Sequence, residues 1–406
     1  YFNKPSKDIF YEIIKNQNVD INNANIDFLY LLSNGSPGTA IKISTDKMND
    51  LYNSIVDITN YNKNDLSKKI YDLSEYVSSF SNDEYTKFGA RIVGTLDEVY
   101  QQSDMIVKVK EPQEAELSKI RESQIVFTYF HFAASKKLTE SIVDSKCIAL
   151  AYETVQTENK NLPLLVPMSE IAGRLSVHNG AKCLESNEGG RGVLLSGSTG
   201  IEPATVTIIG GGIVGSNACK LAAGLGAKVN ILDVNVQKLQ YLSDIMPPNV
   251  TTLFSDSYNL NRLMPETDLL IGAVLVVGAK APSLVTKPMI KKMKKGSVII
   301  DVAVDQGGCV ETCKPTTHAS PTYLVDDVLH FCVANMPGAV PYTSTMALSN
   351  STIPYIRAIA NHGYQNVIKN HKPLLRGLNI YKGNVTHSGV AETFNLNYTP
   401  ALDLIN

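Results

Sequence analysis

An α/β fold with two mostly parallel sheets, each flanked by helices and joined by long interdomain helices, is what the sequence predicts. Three observations carry this. From residue 90 onward, short apolar runs alternate with helix-like stretches in two series, the pattern of parallel strands crossed over by helices. A single long helical stretch, residues 167–184, separates the two series. A glycine turn, Gly210 to Gly215, lies between an apolar strand and a helix, where such sheets bind nucleotides.

Taken in order, residues 1–25 are rich in Asn, Lys and Asp around one apolar cluster, Ile9, Phe10 and Ile13, and read as an appended arm or helix. Residues 26–32 (IDFLYLL) have the length and aromatic content of a buried strand. NGSPG at 34–38 is a loop, and AIKIS at 40–44 alternates as a strand does. Residues 46–87 are polar, with helical patches. Strands follow at 105–109, 125–129 and 147–151 with helices between them. The helix at 167–184 opens with Ser169 and Glu170 just after a proline. The second series places strands at 205–209, 228–232, 269–275 and 297–302, and at Val333. After Pro337 a helix over 349–368 leads into a polar tail. The implied organisation is an N-terminal extension (1–25), a substrate domain (26–163 with 342–406) and an inserted nucleotide domain (164–341).

Composition narrows the function. At 406 residues with 44% hydrophobic and 19% charged, the chain is long enough for two or three domains with large cores. Lys plus Arg number 37 against 39 Asp plus Glu, so no overall charge steers the protein toward nucleic acid or anionic membrane. The most apolar uncharged stretch, 203–219, contains four glycines and is slightly short for a membrane span. Six scattered cysteines suggest a reducing, cytoplasmic setting, and Cys309 with Cys313 is weak evidence for a metal site. The chain opens on Tyr1 rather than Met, which points to a removed upstream piece and leaves an organellar leader open.

The segment TVTIIGGGIVGSNACKLAAGLGAKVNILD (205–233) carries the strongest signal. Gly210, Gly212 and Gly215 form G-x-G-x-x-G. The first permits a tight turn, the second lets backbone approach a pyrophosphate, and the third lets helix pack closely on strand. The free N–H groups at the helix start face the phosphates. Asp233 ends the next strand 18 residues past Gly215, where a carboxylate can accept ribose hydroxyls and repel a 2′-phosphate. NAD is therefore expected over NADP, and the segment is expected to form a Rossmann-like unit.

From about residue 80 to 390, a further set of segments resembles the alanine dehydrogenase family. They are DMIVKVKEP (104–112), VFTYFHFAAS (126–135), AYETVQT (151–157), LPLLVPMSEIAGRL (162–175), GGRGVLLSG (189–197), LLIGAVLVVGAKAP (269–282), DVAVDQGGCVE (301–311) and VANMPGAVPYTST (333–345). The NAD-binding component of transhydrogenase is a cousin, but the last three segments are closer to alanine dehydrogenase. The resemblance implies two Rossmann-like domains and reversible oxidative deamination of L-alanine to pyruvate and ammonium with NAD. It also implies a homohexamer.

Roles carry over residue by residue. Lys110, the second lysine of KVK, resembles the residue that binds the substrate carboxylate or carbonyl. From the pattern alone, Lys108 and Lys110 share one face of a strand running toward Pro112 and could both be solvated edge residues. His131 resembles the catalytic histidine. A lone histidine after an aromatic run is more often a satisfied core residue, but its place at the C-terminal end of a strand, where α/β sheets bind ligands, favours function. Asp305 resembles the catalytic aspartate, with Asp301 as its strand-starting neighbour, and a turn carboxylate is the alternative reading. For the cofactor, the resemblance implies Ser169 at the interdomain helix, Asp233 at the ribose, and Lys238 and Ser255 beside the adenosine. It places Val274, Leu275 and the run Val302, Ala303, Val304, Asp305 on the nicotinamide side, with Val333, Ala334, Asn335 and Met336 closing the pocket.

One departure stands out. The family carries an arginine near its N-terminus, in a segment like N-R-V-A-L-T-P, that pairs with the substrate carboxylate. Here the matching stretch is GTAIKISTD (38–46), with Ala40 at the aligned position and Lys42 two residues on, on the same face of a strand. Lys42 either supplies the substrate-binding charge from there or is itself the aligned residue in a register shifted by two. An ammonium cannot reproduce the bidentate guanidinium fork. Three alternatives follow: a related amino-acid or opine-type oxidoreductase, a transhydrogenase-like NAD(H)-binding module, or a catalytically impaired NAD-binding protein.

Overall fold

The computed structural model describes residues 81–274, 283–304 and 307–405. The expected arm at 1–25, the strands at 26–32 and 40–44, and Lys42, Leu275 and Asp305 lie outside the described residues. The chain divides into two compact units, Tyr1–Ile92 and Val93–Asn406. Within the first, the described stretch holds α1 (Asn82–Lys87). Its start is a capping box: the Ser81 hydroxyl accepts the Glu84 N–H, and the Glu84 carboxylate accepts the Ser81 N–H at 2.7 Å.

The second unit contains two sheets. The first has five strands, β1 (Met105–Val107), β2 (Ile125–Thr128), β3 (Ile148–Ala151), β11 (Leu378–Tyr381) and β12 (Asn384–Val385), in that spatial order. The first three are parallel, and β11 pairs antiparallel with β3. Every position of β2 and β3 is buried, as expected of a sheet covered on both faces. Phe127 and Leu150 face one core, and Val126 and Ala149 face the other. Helices α2 (Leu96–Gln102), α3 (Glu114–Leu117) and α4 (Lys136–Asp144) accompany these strands.

After the long α5 (Val166–Cys183) comes a seven-stranded sheet in the order β6-β5-β4-β7-β8-β10-β9. Its strands are β4 (Thr205–Ile209), β5 (Lys228–Asp233), β6 (Val250–Phe254), β7 (Leu269–Gly272), β8 (Val298–Asp301), β9 (Thr322–Val325) and β10 (Val328–Phe331). All pairings are parallel except β9 on β10. The order reverses beside β4, where the crevice of a doubly wound sheet opens. Helix α6 (Ile213–Gly224) covers one face, its Ala218 and Ala222 sharing a core with Val206 and Ile208. Helices α7 (Val236–Ile245), α8 (Ser257–Leu263) and α9 (Lys287–Ile290) belong to the same sheet.

Helix α5 crosses α6 closely: a Cβ on Gly173 would lie 2.2 Å from the Val214 carbonyl oxygen. Helix α10 (Pro341–His362) also touches α5, and α11 (Tyr364–Asn370) and α12 (Lys372–Gly377) carry the chain back to the first sheet. Helices α13 (Ser388–Phe394) and α14 (Ala401–Leu404) follow β12.

Several expectations need correction. The strand at 105–109 stops at Val107, so Lys108 and Lys110 are not strand residues. Asp301 ends β8 rather than starting a strand. Val333 makes only an isolated bridge to Thr316, and the strand there is Val328–Phe331. The helix at 349–368 begins earlier, at Pro341, and breaks at Gly363, whose φ is +73°. The polar tail contains β11 and β12, a hairpin turned by Lys382 and Gly383 with φ of 48° and 88°.

Candidate active site

At the glycine turn, Gly210 has φ +103°, and a Cβ there would come within 2.6 Å of the Ala273 carbonyl. A Cβ on Gly215 would be 1.8 Å from the Gly210 carbonyl, so helix and strand touch through backbone. Around Gly212 a Cβ would meet nothing within 4 Å. This open side, beside the first N–H groups of a twelve-residue helix, fits a pyrophosphate.

Asp233 is buried at the end of β5. One oxygen accepts the Gly211 N–H at 2.8 Å and the Lys238 ammonium at 3.0 Å; the other accepts the Asn235 N–H at 2.9 Å. Burial works to raise this carboxyl, but the hydrogen bonds from Asn235, Lys238 and Gly211 outweigh it and hold it below the ordinary range. Lys238 is thus tied to Asp233. The Ser255 N–H donates to the Asp233 carbonyl at 3.0 Å. Val274 is half-buried beside Gly210.

Alongside this turn lies a cleft of about 190 Å³ that gathers residues from both sheets. The first sheet contributes Val109, Lys110, Tyr129 and His131; α5 and the turn before it contribute Leu165, Met168, Ser169 and Ala172. The second sheet's side contributes Val214, Ala273, Val302, Ala303, Asn335, Met336 and Pro337. Seven of the expected residues therefore line one space: Lys110, His131, Ser169, Val302, Ala303, Asn335 and Met336. Val304 and Val333 are buried and do not line it, and the Ala334 N–H donates to the Thr316 carbonyl.

The two lysines of KVK separate here. Lys108 is paired with Glu116, whose carboxylate also accepts the Tyr100 hydroxyl. The segment carrying Lys110 is pinned by the Thr128 hydroxyl, which bonds the carbonyls of Val109 at 3.0 Å and Lys110 at 2.8 Å. Its ammonium is exposed, with Glu111 at 3.9 Å. His131 stands three residues past β2 with φ 50° and ψ 44°, a left-handed backbone. Its ring stacks on Tyr129 at 5.8 Å between centroids, nearly parallel, and the Tyr129 hydroxyl donates to the Leu164 carbonyl at 2.5 Å. Asp301, fully buried, accepts N–H groups from Ala303, Cys309 and Val310 at 2.8–3.2 Å. It thereby ties Ala303 to Cys309 and Val310. Burial pushes its carboxyl above the ordinary range despite those bonds.

Sequence reasoning missed Tyr129, Met168 and Glu153. Tyr129 and His131 stand two apart just past the end of β2, and their rings stack. Glu153 follows β3 directly, at the strand end where such sheets place function.

Among the described residues no group of His, Cys, Asp and Glu is arranged to hold a metal, and no helix is long and apolar enough to cross a membrane. All six cysteines are free thiols.

A dinucleotide-type turn beside a largely apolar cleft that presents Lys110, His131, Ser169 and Asn335, on a two-sheet α/β frame, fits the class of nucleotide-dependent oxidoreductases. Comparison with known proteins narrows this. Residues 75–172 match the model "Alanine dehydrogenase/PNT, N-terminal domain", and residues 176–388 match the corresponding C-terminal domain. An alanine dehydrogenase of Methanococcus maripaludis is 52% identical over 330 residues, covering 81% of this chain and 88% of its own length. A solved L-alanine dehydrogenase superposes with TM-score 0.75 at 48% identity, covering 78% of this chain and 87% of that one. A transhydrogenase from Sinorhizobium meliloti shares the fold, with TM-score 0.63 and 21% identity over 76% of this chain and 86% of that one. The chain belongs to the alanine dehydrogenase family. It is an oxidoreductase with two Rossmann-like sheets, and its family implies a nicotinamide cofactor.

Proposed function

We propose that the protein catalyses reversible, NAD-dependent oxidative deamination of L-alanine to pyruvate and ammonium. The observation that supports this reading best is the meeting of Lys110 and His131 in a cleft whose opposite wall is formed by Val302, Ala303, Asn335 and Met336. A cation for a carboxylate and an imidazole for protons thus face the side assigned to the nicotinamide. In this reading 26–163 with 342–406 forms the substrate domain, and 164–341 the nucleotide domain.

NAD would rest its pyrophosphate on Gly210, Gly212 and Gly215, with Asp233, Lys238 and Ser255 about the adenosine. Ser169, Val274, Leu275, the run Val302 to Asp305 and the run Val333 to Met336 would enclose the nicotinamide end. When bound, it supplies the acceptor for the hydride leaving the alanine Cα. Lys110 holds the carboxylate and polarises the developing carbonyl, with Lys42 taking the place of the family's arginine. Water adds to the iminium carbon, and His131 and Asp305 carry protons to and from it as ammonium departs. The same reading takes the protein as a cytoplasmic homohexamer.

The decisive test is NADH oxidation followed with pyruvate and ammonium, beside glyoxylate and 2-oxobutyrate, with NADPH as a control. Turnover best with pyruvate and NADH is expected. Turnover confined to another keto acid, or NADH binding without turnover on any of them, would overturn the assignment.

A further inference from the structure

We infer that Glu153 is a positioning residue for His131, and this rests on the reading of His131 as the proton carrier. Glu153 lies in the short turn Tyr152–Thr154 that follows β3. Its carboxylate reaches across to the neighbouring strand's end. Oε1 accepts the His131 N–H at 2.6 Å, and both oxygens accept the Phe130 N–H at 3.2 Å. Past Thr128 the parallel ladder between β2 and β3 has ended, so these two N–H groups have lost their strand partner. The carboxylate replaces it with charge-assisted bonds, stronger than those of a carbonyl.

This matters because His131 has a left-handed backbone, φ 50° and ψ 44°. A residue with a Cβ stays in that region only when its surroundings hold it there. Two restraints do so. The Tyr129 ring backs the imidazole, and Glu153 fixes the backbone from which it springs. Without the carboxylate, residue 131 can return to the ordinary extended or helical region, which re-aims its side chain away from the cleft wall it lines. Glu153 itself is absent from that lining, so it acts through His131.

The full-length chain is tested as Glu153→Ala and Glu153→Gln, alone and combined with His131→Ala. Glu153→Ala should lower kcat by about 10- to 100-fold, the scale of misplacing a reacting group. Its NADH Kd should be unchanged, while its thermal midpoint should fall modestly because two N–H groups lose their acceptor. Glu153→Gln, whose amide oxygen can still accept the His131 N–H, should recover most of the loss. In a His131→Ala background, Glu153→Ala should cost nothing further, because the two act as a unit. Modification of His131 by diethylpyrocarbonate, read by peptide mass spectrometry, should change rate in Glu153→Ala, while exposed His178 and His318 react as before. If Glu153→Ala does not fold, Glu153→Asp, which withdraws the oxygens by one methylene, carries the same comparison. Equal losses from the Glu153 change with and without His131, or wild-type turnover in Glu153→Ala beside a crippled His131→Ala, would overturn this inference alone. Wild-type turnover in His131→Ala would instead remove the parent reading and Glu153's role with it.

Discussion

Lys108 is tied into Glu116, while Lys110, two residues on, is anchored through its backbone by Thr128 and leaves its ammonium at the cleft. The ion pair therefore selects which lysine can meet a substrate. His131 and Asp305 are assigned the proton transfers, and His131→Ala or Asp305→Asn should each lower turnover by about 10² or more. NADH affinity should survive in the His131 variant, as fluorescence titration can check. Near-normal turnover would reduce either residue to a structural one. Asp233 carries a second prediction. Its three hydrogen bonds depress its pKa, so its ionised form stabilises the fold above the unfolded value of about 3.9. That contribution is lost as pH falls through the lower folded value. The stability difference between wild type and Asp233→Asn, from urea titrations, should be largest near neutrality and shrink below about pH 4. Asp233→Ala should also weaken NAD binding and narrow the NAD/NADP preference. Because it strands the N–H groups of Gly211 and Asn235, it should cost about 1–3 kcal/mol as well.

At the scale of elements, strands whose residues are apolar on both faces were legible: VTII after Thr205, IALA and VIID each appear where the sequence predicts them. Strand β6 was not, because VTTLF follows a Pro-Pro-Asn turn and puts two threonines in a half-exposed edge. Strands β11 and β12 hid in a polar tail, since LNIY and NV are short and their burial comes from β3 and the flanking helices. The hairpin signal was the Lys382-Gly383 pair, which adopts the positive φ values of a two-residue turn. The glycine turn was readable because each glycine answers a local backbone demand. Glu153 was not, because its partners are N–H groups just past the end of another strand that no spacing rule ties to it. Close helix packing gives the element-scale prediction. Gly173→Ala would drive a methyl to 2.2 Å from the Val214 carbonyl, which is backbone and cannot swing aside. The first turn of α6 must then shift. A stability loss of about 1–3 kcal/mol is expected, together with weaker NADH binding, whereas Gly224→Ala, at a site open to 4 Å, should change neither.

Across the whole molecule the two sheets differ in how the chain builds them. The seven-stranded sheet uses one continuous stretch, from Thr205 to Phe331. The five-stranded sheet takes β1 to β3 from before that stretch and β11 and β12 from after it. Its closure brings distant residues together: the Thr154 hydroxyl and the Asn379 side chain, 225 positions apart, meet at 2.8 Å. Closing so large a loop carries an entropic cost that must be met before β11 gains its contacts on β3. The continuous sheet, which carries the glycine turn and Asp233, faces no such delay. After dilution from denaturant, NADH binding should therefore return before turnover does, because turnover needs Lys110 and His131, held at the ends of the first sheet. The chain contains no tryptophan, so the fluorescence gained by bound NADH on direct excitation can be followed without an indole background. Timed samples assayed for turnover supply the second curve. Recovery of both signals with one rate constant would show that the two sheets form together and that the separation in sequence does not set the order of assembly.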